Sequence, residues 1–151
     1  MQGTLSKYFN SDGLLPEGIH ECSIDQIEES FGRFTTSDRR PMLFSNLKIY
    51  WNELRKTNFI DHMIVNGSFV TDKKEPGDID LIVVIKKGWQ INENWNPYDF
   101  NLVSAKRIKQ IYKLDAMITW VGSKNYDIYI EGFRQVTGQP HLRKGIIRLT
   151  P

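Results

Sequence analysis

Residues 63–85 read MIVNGSFVTDKKEPGDIDLIVVI, and this stretch decides the fold. An apolar run ends in Asn66-Gly67-Ser68, a polar spacer follows, and Asp78-Ile79-Asp80 opens a second apolar run, Leu81 to Ile85. The pattern predicts strands over 60–66 and 79–86, with Lys86-Lys87-Gly88 ending the second. Side chains alternate along a strand, so Asp78 and Asp80 point the same way. Two carboxylates on one face of a buried strand repel each other and resist desolvation. A divalent cation between their oxygens makes such a pair tolerable. The small Gly67-Ser68 turn just upstream can offer backbone N–H groups to phosphates. Together the two features point to nucleotide chemistry.

At 151 residues, 40% hydrophobic and 25% charged, the chain has the composition of an ordinary soluble globule with a sizeable core, and one domain is expected. The lone Cys22 excludes an internal disulfide and a multi-cysteine zinc site, and reads as a small half-buried side chain in a reducing cytoplasm. His20, His62 and His141 are scattered, without the close pairing of a zinc site. The opening MQGTLSKYFNSDG has no apolar centre and is no signal peptide, and no run approaches a membrane span. A cytoplasmic protein with no membrane partner is therefore expected. The net charge of +2 argues against strong nucleic-acid binding, but it is unevenly placed: residues 1–36 sum to −4 and residues 101–151 to +6. The basic C-terminal third suits a triphosphate or an RNA end, or equally an ordinary solvated surface.

Along the chain, residues 1–14 read as a loose arm. Ser23 and Gln26 form a capping box for a helix over 23–31, closed by Gly32. Ser37 is an N-cap candidate for an amphipathic helix over 38–56, with Leu43, Leu47, Tyr50 and Leu54 on its core stripe. Residues 88–97 read as a loop in which Trp89 and Trp95 either cover a core edge or stack on a base. A helix is predicted over 98–111, a third strand over 113–120, a fourth over 126–133 and a short last one over 145–149.

The order apolar strand, Gly67-Ser68, a spacer of roughly ten residues, then Asp78-x-Asp80 resembles the nucleotidyltransferase superfamily, built on the fold of DNA polymerase beta. The wording GSFVT followed by EPGDID is most similar to small stand-alone bacterial and phage nucleotidyltransferase-like proteins. Residues 15–20, LPEGIH, and 143–149, RKGIIRL, look like the same group. The resemblance implies an α+β fold with a mixed sheet: an N-terminal arm and short helix (1–36) packed on a minimal nucleotidyltransferase domain (37–151) that ends in a short strand. It implies Mg²⁺- or Mn²⁺-dependent transfer of a nucleoside monophosphate from an NTP, such as ATP, to a hydroxyl of a macromolecular acceptor. That acceptor could be a protein side chain, a tRNA end or a small molecule; no obvious second domain is there to bind it, which favours one that brings its own surface, such as a partner protein encoded nearby or a tRNA. Small stand-alone members often serve as antitoxins or defence components.

The resemblance also implies site residues. Asp78 and Asp80 would be catalytic metal ligands, with a third carboxylate from a later strand completing a two-metal site. Asp115 and Asp127 both qualify, and Asp115 is preferred for its apolar flanks and its distance of one crossover helix from Asp80. Gly67, Ser68 and Phe69 would hold the beta and gamma phosphates, and Lys73 and Lys74 would neutralise them. The spacer containing Pro76 has room for about one helical turn, shorter than in many members, so the cradle is expected to be shallow. Arg143 and Lys144 read as a phosphate or acceptor clamp, or as a charged turn. The rival reading is a catalytically inactive module of the same fold that binds a partner protein. A glycosyltransferase fits less well, because its Asp-x-Asp follows a strand and needs a longer domain.

Overall fold

The quoted stretch forms an antiparallel strand pair in the computed structural model, which describes residues 9–32, 38–92 and 95–151. The elements run β1 (Ile19–Glu21), α1 (Ile24–Ile27) continuing into a π-helical turn (Glu28–Gly32), α2 (Arg39–Leu54), β2 (Ile60–Asn66), a 3-10 turn (Ser68–Val70) and β3 (Asp80–Ile85). Then follow α3 (Pro97–Leu102), α4 (Ala105–Tyr112), β4 (Asp115–Trp120), α5 (Lys124–Arg134), β5 (Gln135–Val136), β6 (Gln139–Arg143) and β7 (Ile146–Leu149). One five-stranded sheet has the order β1-β7-β2-β3-β4, and β5 and β6 form a separate hairpin. The outer pairs β1/β7 and β3/β4 are parallel, and the inner pairs β7/β2 and β2/β3 are antiparallel. The fold is α+β with a mixed sheet.

Alternation along the strands sorts side chains onto two unequal faces. Met63, Val65, Leu81, Val83, Ile85, Ile147 and Leu149 join the main core with Ile27 and Phe31 and with Leu43, Leu47, Tyr50, Trp51 and Leu54 of α2. Ile64, Ile82, Val84 and Ile146 face the other way and pack beneath Ile130 and Phe133 of α5. The described part of residues 1–36 belongs to this body: β1 completes the sheet, and Leu14 and Leu15 are buried. Cys22 is buried too, and burial pushes its thiol up to about 12, leaving it protonated and inert.

Several expectations hold and several need correction. The Ser23–Gln26 capping box forms with both hydrogen bonds in place. The arm expected over residues 1–14 lies partly outside the described residues; its described end is docked, with Leu14 bridging to Thr71. Ser37 also lies outside them. The helix expected over 98–111 is two helices, because Ser104 caps α4 by accepting from Arg107 N. The third strand begins at Asp115 rather than 113, because Lys113 ends α4 in the left-handed region at φ 61°. The strand expected over 126–133 is instead the helix α5. Ser123 caps it by accepting from Tyr126 N at 3.2 Å, and Tyr126, Ile130 and Phe133 recur at helical spacing against the sheet. The β-prone Tyr and Ile residues give that segment a misleading alternation. Trp89 and Trp95 pack on Phe59, with ring centroids 6.2 and 4.6 Å away. They cover the core edge beyond the far end of β3 from Asp80. No helix among the described residues is long and apolar enough to cross a membrane.

Candidate functional site

β2 ends and both β3 and β4 begin at one end of the sheet, where the register sets Asn66 beside Asp80 and Asp80 beside Asp115. Cross-strand neighbours share a face, so these three residues form one polar row on the side covered by α5. Asp78 lies two residues before the strand, and its Oδ1 is 3.9 Å from the Lys109 ammonium of α4. The same ammonium is 2.9 Å from Asp115 Oδ1. Lys109 thus lies between two carboxylates of the cluster and joins it from a different element.

The electrostatics follow from that crowding. Burial, then the neighbouring Asp115 and Asp78 carboxylates, raise the Asp80 carboxyl above the usual carboxylate range, with Lys144 and Lys109 opposing. The hydrogen bond to Asp115 raises the Lys109 ammonium. Lys144 is half-buried in the turn before β7; burial pulls its ammonium down and Asp80 pulls it up. The turn packs closely on the N-terminal segment: a Cβ on Gly145 would stand 2.1 Å from the Pro16 carbonyl oxygen, and Gly145 N donates to the Leu15 carbonyl at 3.0 Å. Beside the row opens a cleft of about 480 Å³ lined by Asp80, Asp115, Lys106, Lys109, Met117 and Phe133, among others. Asn66 donates from Nδ2 to the Phe133 carbonyl at 3.2 Å, and its buried Oδ1 has no hydrogen-bond partner.

The Gly67-Ser68 turn abuts Asp80. Gly67 has φ +94°, and a Cβ there would meet the Asp78 carbonyl at 3.0 Å and Asp80 Oδ2 at 3.2 Å. The position thus requires glycine both for its conformation and for the approach of the carboxylate. Hydrogen bonding within the 3-10 turn starts at Val70 N, so the amides of Ser68 and Phe69 precede the turn's own bonds. The Phe69 side chain itself is core.

Behind the turn, Arg40 of α2 is fully buried and donates to the carbonyls of Phe31, Phe69, Thr71 and Lys73 at 2.5–3.2 Å. Arg39 Nε donates to the Pro76 carbonyl at 2.9 Å. Two arginines from one helix therefore tie down the spacer between Gly67 and Asp78. Lys73 and Lys74 point outward and are exposed.

The structure gathers Asp78, Asp80, Asp115, Gly67 and Ser68 at one end of the sheet. It separates the other third-carboxylate candidate, Asp127, which is exposed in the first turn of α5. It also splits the Arg143-Lys144 pair: Arg143 binds Glu131 at 2.5 and 3.0 Å and Glu17 at 2.8 Å, while Lys144 is half-buried and within reach of the Asp80 charge. Lys109 and Arg40 were not legible as site residues. Lys109 gives only a weak signal, a basic residue on a helix one turn before a strand that opens with aspartate. Arg40 reads as one more charge in a helix.

Among the described residues, no three acidic, histidine or cysteine side chains close into a metal-sized cage. The three carboxylates offer only hard oxygen donors, the kind a divalent cation takes, and the Lys109 ammonium already lies against one of them. Residues 7–150 match a family of unknown function, DUF6932. The chain belongs to the DUF6932 family. No curated protein and no solved structure matches it. Membership of DUF6932 carries no activity with it, so the site chemistry is argued from the residues above.

Proposed function

We propose that this chain is a nucleotidyltransferase that moves a nucleoside monophosphate from an NTP to a hydroxyl of a macromolecular acceptor, a partner protein or a tRNA. The reading rests on one observation: Asp80 and Asp115 open adjacent parallel strands in register, with Asp78 two residues upstream and the Gly67-Ser68 turn against Asp80. Asp78, Asp80 and Asp115 would hold Mg²⁺ or Mn²⁺, which when bound supplies charge to activate the hydroxyl and stabilise the leaving oxygen. Ser68 Oγ and the amides of Ser68 and Phe69 hold the beta and gamma phosphates, and the rigid spacer keeps those donors in place. Lys73 and Lys74 lie outside the cleft's walls and serve to attract the triphosphate rather than clamp it. The setting we favour is the cytoplasm, with an acceptor encoded nearby, in a toxin–antitoxin or phage-defence role.

A second reading has its own observation. The Lys109 ammonium 2.9 Å from Asp115 neutralises part of the cluster without any metal, as an inactive partner-binding module would need. Labelling separates the two. Incubation with labelled ATP, CTP, GTP or UTP, Mg²⁺ and either the neighbouring gene product or total tRNA is expected to label one acceptor, and Asp78→Asn to abolish the label. No label with any nucleotide, together with no NTP binding by calorimetry, would favour the inactive module.

A further inference from the structure

Both ion pairs of the carboxylate cluster belong to Lys109. Three carboxylates face the Lys109 ammonium and, at Asp80, the half-buried Lys144, which leaves a net charge of −1; one divalent cation already reverses it, and two would overfill the site. We propose that Lys109 takes the place of one of the two cations expected at this site, so that the protein binds a single divalent ion. The inference rests on the metal-binding reading above and deepens it.

Three features carry it. First, Lys109 lies on α4, whose end is fixed by Lys113 in the left-handed region, with Lys113 N donating to Lys109 O at 3.1 Å. The chain then enters β4 at Asp115 within two residues, so the lysine and its main partner are held by one short connection. Second, the ammonium lies 2.9 Å from Asp115 but 3.9 Å from Asp78, so it is held at the Asp115 side, and the Asp78–Asp80 side keeps only the half-buried Lys144 as a second, opposing charge. Third, the Asn66 Oδ1 beside Asp80 in the same row is buried and unpartnered, although the residue is 95% buried. A buried acceptor without a donor is costly unless a cation or a ligand donor reaches it. The vacant oxygen marks the Asp80 end, away from the ammonium, as the end where a ligand belongs.

The geometry yields a division of labour. Lys109 screens Asp115. Asp78 and Asp80 face the incoming cation, with Asn66 beside Asp80 in the strand register. A lysine in place of a metal cannot polarise a hydroxyl as a divalent ion does, so it acts as a positioning residue that fixes Asp115 and sets the charge of the site.

The test is the number of Mn²⁺ ions bound to the full chain, read from the free-Mn²⁺ electron paramagnetic resonance signal, counting only ions lost in Asp80→Asn. One ion is expected for wild type and for Lys109→Arg, and two for Lys109→Met. The Lys109 side chain is 51% exposed, so its removal should leave folding intact. Lys109→Gln is the second variant if the Met form aggregates. Two ions in wild type, or one in every form, overturn the inference but leave the metal reading standing. No ion in any form overturns the metal reading itself. No ion in wild type but one in Lys109→Met means the lysine fills the site outright, which overturns the single-ion inference and favours the inactive module.

Discussion

The two faces of the sheet are built to different standards. The face toward α2 buries an almost wholly apolar layer from four helices, the π-helical turn and the strands. The face toward α5 is thin: Ile64, Ile82, Val84 and Ile146 meet Ile130 and Phe133, and the same face carries His62, Asn66, Thr119, Asp80 and Asp115. Buried polar groups are expensive unless each is satisfied. The thick face supplies the stability that lets the thin one hold unsatisfied and mutually repelling groups. The two cations follow the same division. Arg40, at the rim of the thick face, is buried and saturated with carbonyl partners, while Lys109 is half-exposed and holds only carboxylates.

The largest expected break in this comparison comes at Arg40. Arg40→Met leaves the carbonyls of Phe31, Phe69, Thr71 and Lys73 without their donor in a dry setting. We expect a loss of at least about 3 kcal/mol in urea unfolding. Arg40→Lys should recover little, since one ammonium cannot span four carbonyls arranged for a planar fork. Lys109→Met, by contrast, should shift stability by less than about 0.5 kcal/mol. Equal losses for the two cations would refute the division.

The difference between the faces also explains what was legible. The thick face was readable because its residues obey one period each: Leu43, Leu47, Tyr50 and Leu54 at helical spacing, Leu81, Val83 and Ile85 at strand spacing. The site's two first carboxylates were readable because Asp78 and Asp80 sit in one short motif with Gly67. Lys109 was not, because its role depends on the parallel register of β3 and β4, which no local pattern encodes. Helix α5 misled for a different reason. A helix lying on a narrow apolar strip needs only Tyr126, Ile130 and Phe133 to face inward, and its remaining residues can imitate a strand. The short strands β1, β5 and β6 have too few residues to show any period.

Next in size is Asp80→Asn. Losing one ligand should cost at least about a hundredfold in transfer rate. Yet the unliganded protein should become more stable, by about 1–2 °C in Tm. The sign follows from the raised Asp80 carboxyl. Its folded pKa lies above the unfolded one, so ionisation disfavours folding, and stability falls as pH rises through that window. Asn removes the penalty. Calorimetric scans at pH 7 without metal, then with Mg²⁺ and NTP, check both halves: the variant should start higher and lose the ligand-induced shift. A variant that starts lower, or that keeps the shift, would contradict the assignment.

Gly67→Ala joins the two faces, since the turn is tied from behind by Arg40 and touches Asp80 in front. An alanine must adopt φ near +94° and press within 3.0 Å of the Asp78 carbonyl. We expect a loss of about 1–2 kcal/mol in urea unfolding, and weaker NTP binding in calorimetry because Asp80 must shift. An unchanged unfolding midpoint would mean that the turn is looser than its contacts imply.

The smallest effect sits on the thin face, at His62. The ring is buried, with Nδ1 2.6 Å from Asp61 Oδ2 and Nε2 3.3 Å from the Tyr126 hydroxyl on α5. Burial lowers its pKa, and the hydrogen bond to Asp61 only partly opposes this. The folded ring therefore favours the neutral form more than the unfolded chain does. Below the unfolded value of about 6.5 the unfolded state binds the extra proton, so the contribution of His62 is fully present above pH 6.5 and is lost as pH falls below it. Between pH 7.5 and 5.5 the urea midpoint of wild type should fall relative to His62→Gln, by about 0.5 kcal/mol in free energy. Using the difference between the two proteins cancels the opposite trend from Asp80, which is common to both. Parallel pH profiles would show that the thin face accommodates a charged imidazole, and that its polar residues are better solvated than the contacts to Asp61 and Tyr126 indicate.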